Sequence, residues 1–408
     1  MSAETNLGTR SVTQSWAMRA RACQVIPRGT QTNSKAPLPE LEGIEPCFVV
    51  RAKGCRVWDL DGNEYIDYRN ALGPVTLGYG YPAVVEAVRS QLEDGIVFGY
   101  PHPLEVEVAE RLRELIPCCQ MVRFLKTGGE AMAAALKTAR AATGRDVILR
   151  CGYHGWLQTT GEPGVPTGVG ELLPAFTWGD EAGLAGLLER YAGRVAAITI
   201  AASYPHLVPN DTFLHACRRL ADAHGALVIF DEIVTGFRVA VGGVQEYYGV
   251  VPDLAVFSKG MANGMPISAL VGREPVMRTL EKTTVTSTFG GEVLSLAAAR
   301  ATIETYRRQD VIGHLWEMGQ RLVAGVNGIF AEAGLPGGYR GCPACPQLVF
   351  DSGDTERNHR WRIGLLRALF RRGVSIYTVT YVNFSHQAAD IDETLNRWHD
   401  AVRRGWEI

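Results

Sequence analysis

From Tyr81 onward, the sequence alternates helix-period segments such as PAVVEAVRSQLEDG and GEAMAAALKTARAATG with short apolar runs. Runs that are apolar along their whole length are typical of strands buried on both faces of a parallel sheet. Helices between such strands cover both faces, so the pattern predicts an α/β fold with a mostly parallel sheet. Ligands of these sheets bind at the carboxyl ends of the strands. The candidate strands are VRFL, DVILR, VAAITI, ALVIF, DLAVF and ISALVG.

Two of these strand ends carry glycine-rich segments. VRFL is followed by Thr127, Gly128 and Gly129 and then by a helical segment. Free N–H groups at a helix start favour an anion, so the two glycines are candidate phosphate ligands; an ordinary glycine-containing N-cap is the alternative. DVILR is followed by Tyr153 and His154, flanked by glycines. Tyr153 could stack on a planar molecule or pack under a loop, and it is the stronger candidate of the two.

Two other strand ends carry charged side chains. Asp231 follows ALVIF, and a partly buried carboxylate at that position needs a cation or a hydrogen-bond donor. It could hold a protonated ring nitrogen or pair with Arg238. Lys259 follows DLAVF, where desolvation or nearby positive charge can remove its proton near neutral pH and allow it to form a Schiff base. The alternative is a lysine whose ammonium group reaches solvent.

The four strand ends together match the parts of pyridoxal 5'-phosphate. This cofactor has a phosphate, a flat ring, a pyridine nitrogen and an aldehyde. A glycine cradle, an aromatic side chain, a carboxylate and an amine could hold one part each. The sequence therefore predicts pyridoxal phosphate as the cofactor, with Lys259 on its aldehyde and Asp231 on its ring nitrogen.

Composition argues against several other classes of function. The chain of 408 residues has 41 Lys and Arg against 43 Asp and Glu, so no basic surface favours nucleic acid or an anionic membrane as a partner. The start of the sequence lacks an apolar signal-peptide core, and no uncharged apolar run could span a membrane. Nine scattered cysteines predict a reducing, cytoplasmic environment. The lone CxxC pair, Cys342 and Cys345, has no second pair, so no metal site is predicted.

Longer motifs resemble a known family. DEIVTGFR, followed downstream by FSKGMANGMPISALVG with Lys259, is similar to the signature of class III pyridoxal-phosphate aminotransferases of fold type I. The likeness extends to IPRGTQTNSKAP, VWDLDGNEYIDY, TGGEAMAAALKTARAATGRD and TSTFGGEVLSLAAA. The GYHGW and PGVPTGV segments are most similar to the glutamate-1-semialdehyde aminomutase-like branch of that family.

The resemblance implies a particular domain organisation. A mostly parallel seven-stranded sheet flanked by helices would form a large cofactor-binding domain, and a smaller α+β domain would be built from both termini. The small domain would take residues 1–65, with an N-terminal helix, an arm and a hairpin, and residues 306–408; the large domain would take 66–305. The hairpin is also predicted by Asp61-Gly62 between alternating residues.

The resemblance also implies roles for residues around the cofactor ring. Lys259 and Asp231 would be catalytic, while Ile233 and Tyr153 would contact opposite faces of the ring. An amino donor would displace Lys259, whose amine would then move a proton between the substrate carbon and the cofactor. The aminated cofactor would finally pass its amino group to a carbonyl acceptor.

Other residues would hold the phosphate and the phenolic oxygen of the cofactor. Gly128 and Gly129 would donate backbone N–H groups to the phosphate. Thr288 would reach the phosphate of the neighbouring subunit, which implies a homodimer with shared active sites. Ser203 or His206 would contact the phenolic oxygen.

The sequence departs from the aminomutase pattern at three points. Lys35 stands where that pattern has an arginine that meets the substrate carboxylate, and Glu292 and Val293 replace an asparagine and a proline. The missing arginine, the GMANG segment after the lysine and the pair His206-Leu207 resemble aminotransferases that act on aldehyde or keto sugars in aminoglycoside antibiotic biosynthesis. An epimerase or an aminomutase using the same chemistry is the alternative, and a non-catalytic protein of the same fold is a remote one.

Overall fold

The computed structural model describes residues 10–158, 160–166 and 168–404. Within them, the chain forms two compact units. The terminal unit takes residues 10–73, 77–81 and 313–404, and the central unit takes residues 74–76 and the described part of 82–312. The bounds implied for the domains, after residues 65 and 305, fall several residues before these breaks.

The strands of the described chain are β1 (Val49–Lys53), β2 (Arg56–Asp59), β3 (Glu64–Asp67), β4 (Met121–Leu125), β5 (Val147–Cys151), β6 (Val195–Ala201), β7 (Leu227–Asp231), β8 (Leu254–Phe257), β9 (Ser268–Gly272), β10 (Gly337–Arg340), β11 (Gln347–Phe350) and β12 (Val374–Ser375). The α-helices of the same residues are α1 (Thr13–Val25), α2 (Pro82–Asp94), α3 (Pro103–Leu115), α4 (Gly128–Thr143), α5 (Val169–Leu172), α6 (Glu181–Arg190), α7 (Phe213–His224), α8 (Val244–Tyr248), α9 (Glu274–Met277), α10 (Val293–Arg308), α11 (Val311–Glu332), α12 (Thr355–Arg371) and α13 (Ala388–Arg404).

The central unit is built on a mostly parallel sheet, as predicted. Its strand order is β4-β9-β8-β7-β6-β5, and β9 is antiparallel to both of its neighbours while the other strands run in one direction. Strands β8 and β9 are buried at every position, which is why they read as continuous apolar runs. The predicted α/β architecture of fold type I is confirmed.

The implied count of seven strands is wrong by one, since the described chain has six in this sheet. At the β5 edge, Ala175 makes only an isolated parallel bridge to Arg150. Arg150 donates its N–H to the Pro174 carbonyl and accepts from Phe176 N. Pro174 has no N–H to extend this ladder, so the pairing stops at a single bridge.

Helix α4 joins this sheet to the candidate site. Its buried alanines, including Ala131 and Ala135, pack in one cluster with Ile229 of β7 and Leu270 of β9. Small residues on this face let the helix approach the sheet closely. Because α4 directly follows β4, its first turn lies at the carboxyl end of that strand. Burial of this apolar surface stabilises the unit by about 25 cal/mol per Å².

The terminal unit holds a second sheet, with strand order β1-β2-β3-β12. Strands β2 and β3 pair antiparallel, and Gly62 between them has a φ of 87°, which confirms the hairpin predicted from Asp61-Gly62. Helix α1 precedes this sheet in the chain. None of the helices in the described ranges is both long and apolar enough to cross a membrane.

Candidate active site

Lys259 lies just after β8 and opens a short 3-10 turn, Lys259–Ala262. Its backbone φ is 36°, a left-handed conformation that residues other than glycine rarely adopt. Burial lowers the pKa of its amine to about 8; Asp231 opposes this shift and Arg238 adds to it. A share of the amine is therefore uncharged near neutral pH, as a nucleophile requires.

Asp231 is the last residue of β7, and its buried carboxylate has two partners. One oxygen, Oδ2, lies 3.0 Å from Nδ1 of His154, and the other accepts a hydrogen bond of 3.2 Å from the backbone N–H of Ile233. The other ring nitrogen of His154, Nε2, is buried and has no hydrogen-bond partner among the described residues. The contact with Asp231 is therefore the hydrogen bond that the His154 ring makes, and it orients the carboxylate.

The glycines that follow β4 and β5 pack closely against neighbouring atoms. A Cβ atom at position 128 would lie 2.6 Å from Cδ1 of Ile233, and one at position 155 would lie 2.8 Å from the Cα of Gly129. Gly155 also has a φ of 87°, which favours glycine there. The segments TGG, GYHG and DEI, far apart in sequence, therefore interlock at the carboxyl end of the sheet.

The start of α4 has free N–H groups beside this contact. Thr127 is the N-cap, and its Oγ1 accepts a hydrogen bond of 3.2 Å from Glu130 N. The N–H groups of Gly128 and Gly129 precede the first intrahelical donors and remain available to an anion. The N-cap that was the alternative interpretation is thus present at Thr127, and it leaves the N–H groups of Gly128 and Gly129 available as the predicted phosphate cradle.

Tyr153 differs from its neighbours in exposure. Its side chain is 71% exposed, whereas His154 beside it is buried. The alternative of packing under a loop is therefore not what the structure contains. The exposed ring of Tyr153, which precedes the residue that contacts Asp231, is available to a flat ligand.

Three further residues named from the sequence lie in segments that follow β6 or precede α10. Ser203 Oγ lies 2.8 Å from Nδ1 of His206, in the segment that follows β6, and His206 is exposed. Thr288 is also exposed, in the segment that precedes α10. The hydrogen bond between Ser203 and His206 links the two candidates for the phenolic oxygen to each other.

Two residues that sequence analysis left without a role form an ion pair beside the glycine cradle. Lys126 Nζ lies 2.8 Å from an oxygen of Glu292, and both side chains are largely buried. Glu292 also caps α10, accepting from Leu294 N at 2.6 Å and from Ser295 Oγ at 2.6 Å. Burial acts to raise the pKa of Glu292, but the hydrogen bonds from Lys126 and Ser295 outweigh it and lower that pKa.

These groups together can bind and activate a specific kind of molecule. The helix start suits a phosphate, the exposed ring of Tyr153 suits a flat heterocycle, and the carboxylate of Asp231 suits a protonated nitrogen. The amine of Lys259, with its lowered pKa, can attack an aldehyde.

Comparison with known proteins identifies close similarity over nearly the whole chain. A family model described as aminotransferase class-III matches residues 40–342. The chain is 34% identical over 400 residues to 3-aminobutyryl-CoA aminotransferase of Cloacimonas acidaminovorans, covering 95% of this chain and 96% of that protein. It is 34% identical over 421 residues to glutamate-1-semialdehyde 2,1-aminomutase of Syntrophobacter fumaroxidans, covering 95% and 96%. The solved structure of the internal aldimine form, with pyridoxal phosphate, of the FumI protein of Sphingopyxis sp. MTA144 has a TM-score of 0.88 at 29% identity, covering 96% of both chains.

Proposed function

The chain belongs to the class III aminotransferases and is a pyridoxal-phosphate-dependent enzyme, and we propose that Lys259 binds the aldehyde of its cofactor. The observation that carries this assignment is the partly buried Lys259 just after β8, whose amine has a pKa lowered to about 8 by desolvation and has Asp231 as its electrostatic partner. When bound, pyridoxal phosphate supplies the aldehyde that takes up an amino group and the ring that accepts electrons from the substrate carbon.

The neighbouring residues fit the other parts of this cofactor. Gly128 and Gly129 would bind the phosphate through the start of α4, and the contact of Gly128 with Ile233 leaves no room for a larger residue there. Ile233 and the exposed Tyr153 would contact the two faces of the ring. Ser203 or His206 would contact the phenolic oxygen.

Asp231 would hold the proton on the ring nitrogen. Its carboxylate is buried at the end of β7, where the charge is stabilised by the N–H of Ile233 and by His154. These two partners fix the direction of the carboxylate. His154 therefore acts through Asp231 as a positioning residue.

Lys259 would also move the proton of the reaction. Its free amine would accept a proton from the substrate carbon and would return a proton to C4′ of the cofactor. In the apoprotein, the lowered pKa of Lys259 favours the uncharged amine, which is the form that accepts a proton.

A homodimer is proposed for the assembly, and it is supported by exposed apolar side chains of the central unit. Tyr100 is 86% exposed, Trp156 73% and Phe289 58%, and Phe289 is adjacent to Thr288. Large exposed apolar side chains are candidates for a surface that a second copy covers. A second copy covering them could receive Thr288 at its phosphate.

We propose an aldehyde or keto sugar, such as an aminoglycoside intermediate, as the carbonyl substrate. The support is that Lys35, an exposed point charge, replaces the planar guanidinium that would bind a carboxylate in two hydrogen bonds. Epimerase or aminomutase activity through the same proton at Lys259 is the second candidate, favoured by the similarity to an aminomutase.

Covalent trapping tests the cofactor assignment. The purified protein, loaded with pyridoxal phosphate and reduced with borohydride, should carry the phosphopyridoxyl mass on the peptide that contains Lys259. The Lys259→Ala protein should carry none of it there. Label on another lysine of the wild-type protein, with the Lys259 peptide unmodified, would refute the assignment.

Isotope exchange separates the candidate reactions. The loaded protein is incubated in deuterated water with aminosugars, 3-aminobutyryl-CoA, glutamate 1-semialdehyde and small amino acids. Conversion of the cofactor to its amine form supports transamination, whereas label exchange with inversion and no conversion supports epimerisation. Turnover of the thioester or of small amino acids, with no response to aminosugars, would reject the sugar substrate.

A further inference from the structure

The ion pair between Lys126 and Glu292 joins two segments that flank the glycine cradle. Lys126 directly follows β4 and precedes the N-cap of α4, and its backbone N–H donates to Glu130 of that helix over 3.0 Å. Its ammonium group, 166 positions away from Glu292 in sequence, reaches the carboxylate over 2.8 Å. The turn that carries Gly128 is thus bonded to α4 by its backbone and to α10 by its side chain.

The residues just before Glu292 pack closely on the same region. A Cβ atom at position 290 would lie 2.8 Å from the carbonyl oxygen of Phe124 in β4, and one at position 291 would lie 2.8 Å from Oε1 of Glu105. Glycine is needed at position 290 because a backbone oxygen fills the space, whereas at position 291 the Glu105 carboxylate would have to move. Backbone packing of the preceding glycines, together with the attraction of opposite charges, therefore holds Glu292 beside Lys126.

Glu292 is well placed to hold this contact. Its carboxylate caps α10 at Leu294 and Ser295, so the side chain is already fixed before Lys126 binds it. A fixed carboxylate loses little conformational entropy when it forms an ion pair, and both partners are largely shielded from solvent. Such a pair is stronger than a flexible surface pair.

We infer that Lys126 and Glu292 are positioning residues for the phosphate end of the cofactor, because their ion pair holds the turn before Gly128 and Gly129 against the start of α10. The inference rests on the proposed cofactor site. Lys126 is assigned no phosphate contact in this arrangement, because the charge of its ammonium group is balanced by Glu292. The phosphate is left to the backbone N–H groups of the two glycines.

Comparing two ligands tests this positioning role. The apoprotein and its E292Q, K126M and double variants are titrated with pyridoxal phosphate and with pyridoxal, which has the same ring and aldehyde but no phosphate. Each single variant should bind pyridoxal phosphate about tenfold more weakly and pyridoxal with unchanged Kd. The double variant should resemble the single ones, because either change already breaks the same contact.

Controls separate this role from general destabilisation. Arg300 of α10 pairs with Glu107 of α3 over 3.1 Å, so R300M removes an ion pair from the same helix and should leave both Kd values unchanged. K126R should retain tight binding. If K126M does not fold, the E292Q variant alone tests the inference, because glutamine can still accept the hydrogen bond of the backbone N–H at the start of α10.

Three outcomes would overturn the inference. Wild-type affinity for pyridoxal phosphate in both single variants would show that the pair positions nothing. An equal loss for both ligands would indicate a disturbed ring pocket. Tighter binding by E292Q would assign Lys126 a direct attraction to the phosphate. If the wild-type protein itself failed to form its bond to pyridoxal phosphate at Lys259, the proposed function would fail instead.

Discussion

Nδ1 of His154 lies 3.0 Å from Oδ2 of Asp231, and both side chains are buried. The carboxylate can only accept, so the imidazole places its proton on Nδ1. The contact sets the direction of the Asp231 carboxylate at the carboxyl edge of the sheet. It also leaves Nε2 of His154 buried without a partner in the described chain, a cost that a purely structural residue would avoid.

Removal of His154 should therefore impair the reaction more than cofactor binding. We expect H154A to lower kcat about 10- to 100-fold, because Asp231 loses the donor that orients it. The Kd for pyridoxal phosphate should change much less. Steady-state kinetics and cofactor titration measure the two quantities, and H154N, which keeps an amide donor, should recover part of kcat. The exposed His215 supplies a matched control as H215A; a kcat for H154A equal to that of this control would contradict the role.

The lowered pKa of Lys259 predicts how the apoprotein responds to pH. The folded protein holds the pKa of this amine near 8, below the ordinary lysine value of 10.5, so between these values it binds fewer protons than the unfolded chain. Stability from this group therefore rises with pH across that window. The rate of reaction with pyridoxal phosphate should rise with pH up to about 8 and then level off. Stopped-flow absorbance measures the rate, and a constant rate from about pH 6 to about pH 9 would exclude a titrating amine.

The contact between Gly128 and Ile233 predicts a substitution and its rescue. G128A should destabilise the protein by about 1–3 kcal/mol and weaken binding of pyridoxal phosphate, because the added methyl group overlaps Cδ1 of Ile233. I233V removes that atom and leaves the two γ carbons at 3.1 and 3.2 Å, so G128A/I233V should recover part of the stability. A methyl group added at Gly186 of α6 would meet no atom within 4 Å, so G186A should be neutral or stabilising. Thermal unfolding compares these proteins with the wild type; equal losses in G128A and in the double variant would disprove the contact.

The exposed apolar residues predict the state of association. W156E should shift the protein from dimer to monomer, because it places a charge in an apolar surface of the central unit. Light scattering after size-exclusion chromatography measures the mass. Val25 of α1 is 81% exposed in the terminal unit, so V25E is a control that should leave the mass unchanged. A wild-type protein that is a monomer at micromolar concentration would contradict the proposed dimer.

The sheet could be predicted from the sequence to within one strand. Strands β6 to β9 are buried on both faces and therefore appear as uninterrupted apolar runs. The seventh strand implied by the resemblance is absent from the described chain: at the β5 edge Ala175 makes a single bridge to Arg150, and Pro174 has no N–H group to extend it. Apolar character identifies burial, whereas the loss of one N–H group changes hydrogen bonding without changing the apolar pattern.

Candidate site residues could be predicted from the sequence where they directly follow a strand. Contacts between segments that are distant in sequence could not. Asp231 and Lys259 could be selected because each ends an apolar run. His154 was ranked below Tyr153, since nothing in the sequence links it to a carboxylate 77 positions away. The pair of Lys126 and Glu292 was missed for the same reason, although an acidic residue in place of the expected asparagine was a signal that a cation lies near.

The left-handed backbone of Lys259, with a φ of 36°, limits the thermal stability of this protein. A side chain in that conformation costs on the order of 1 kcal/mol, which the surrounding sheet and turn must outweigh. Glycine would relieve the strain and remove a buried amine, so an inactive K259G apoprotein should melt at a higher temperature than the wild type. Reactivity and heat resistance are thus opposed at one position of the chain.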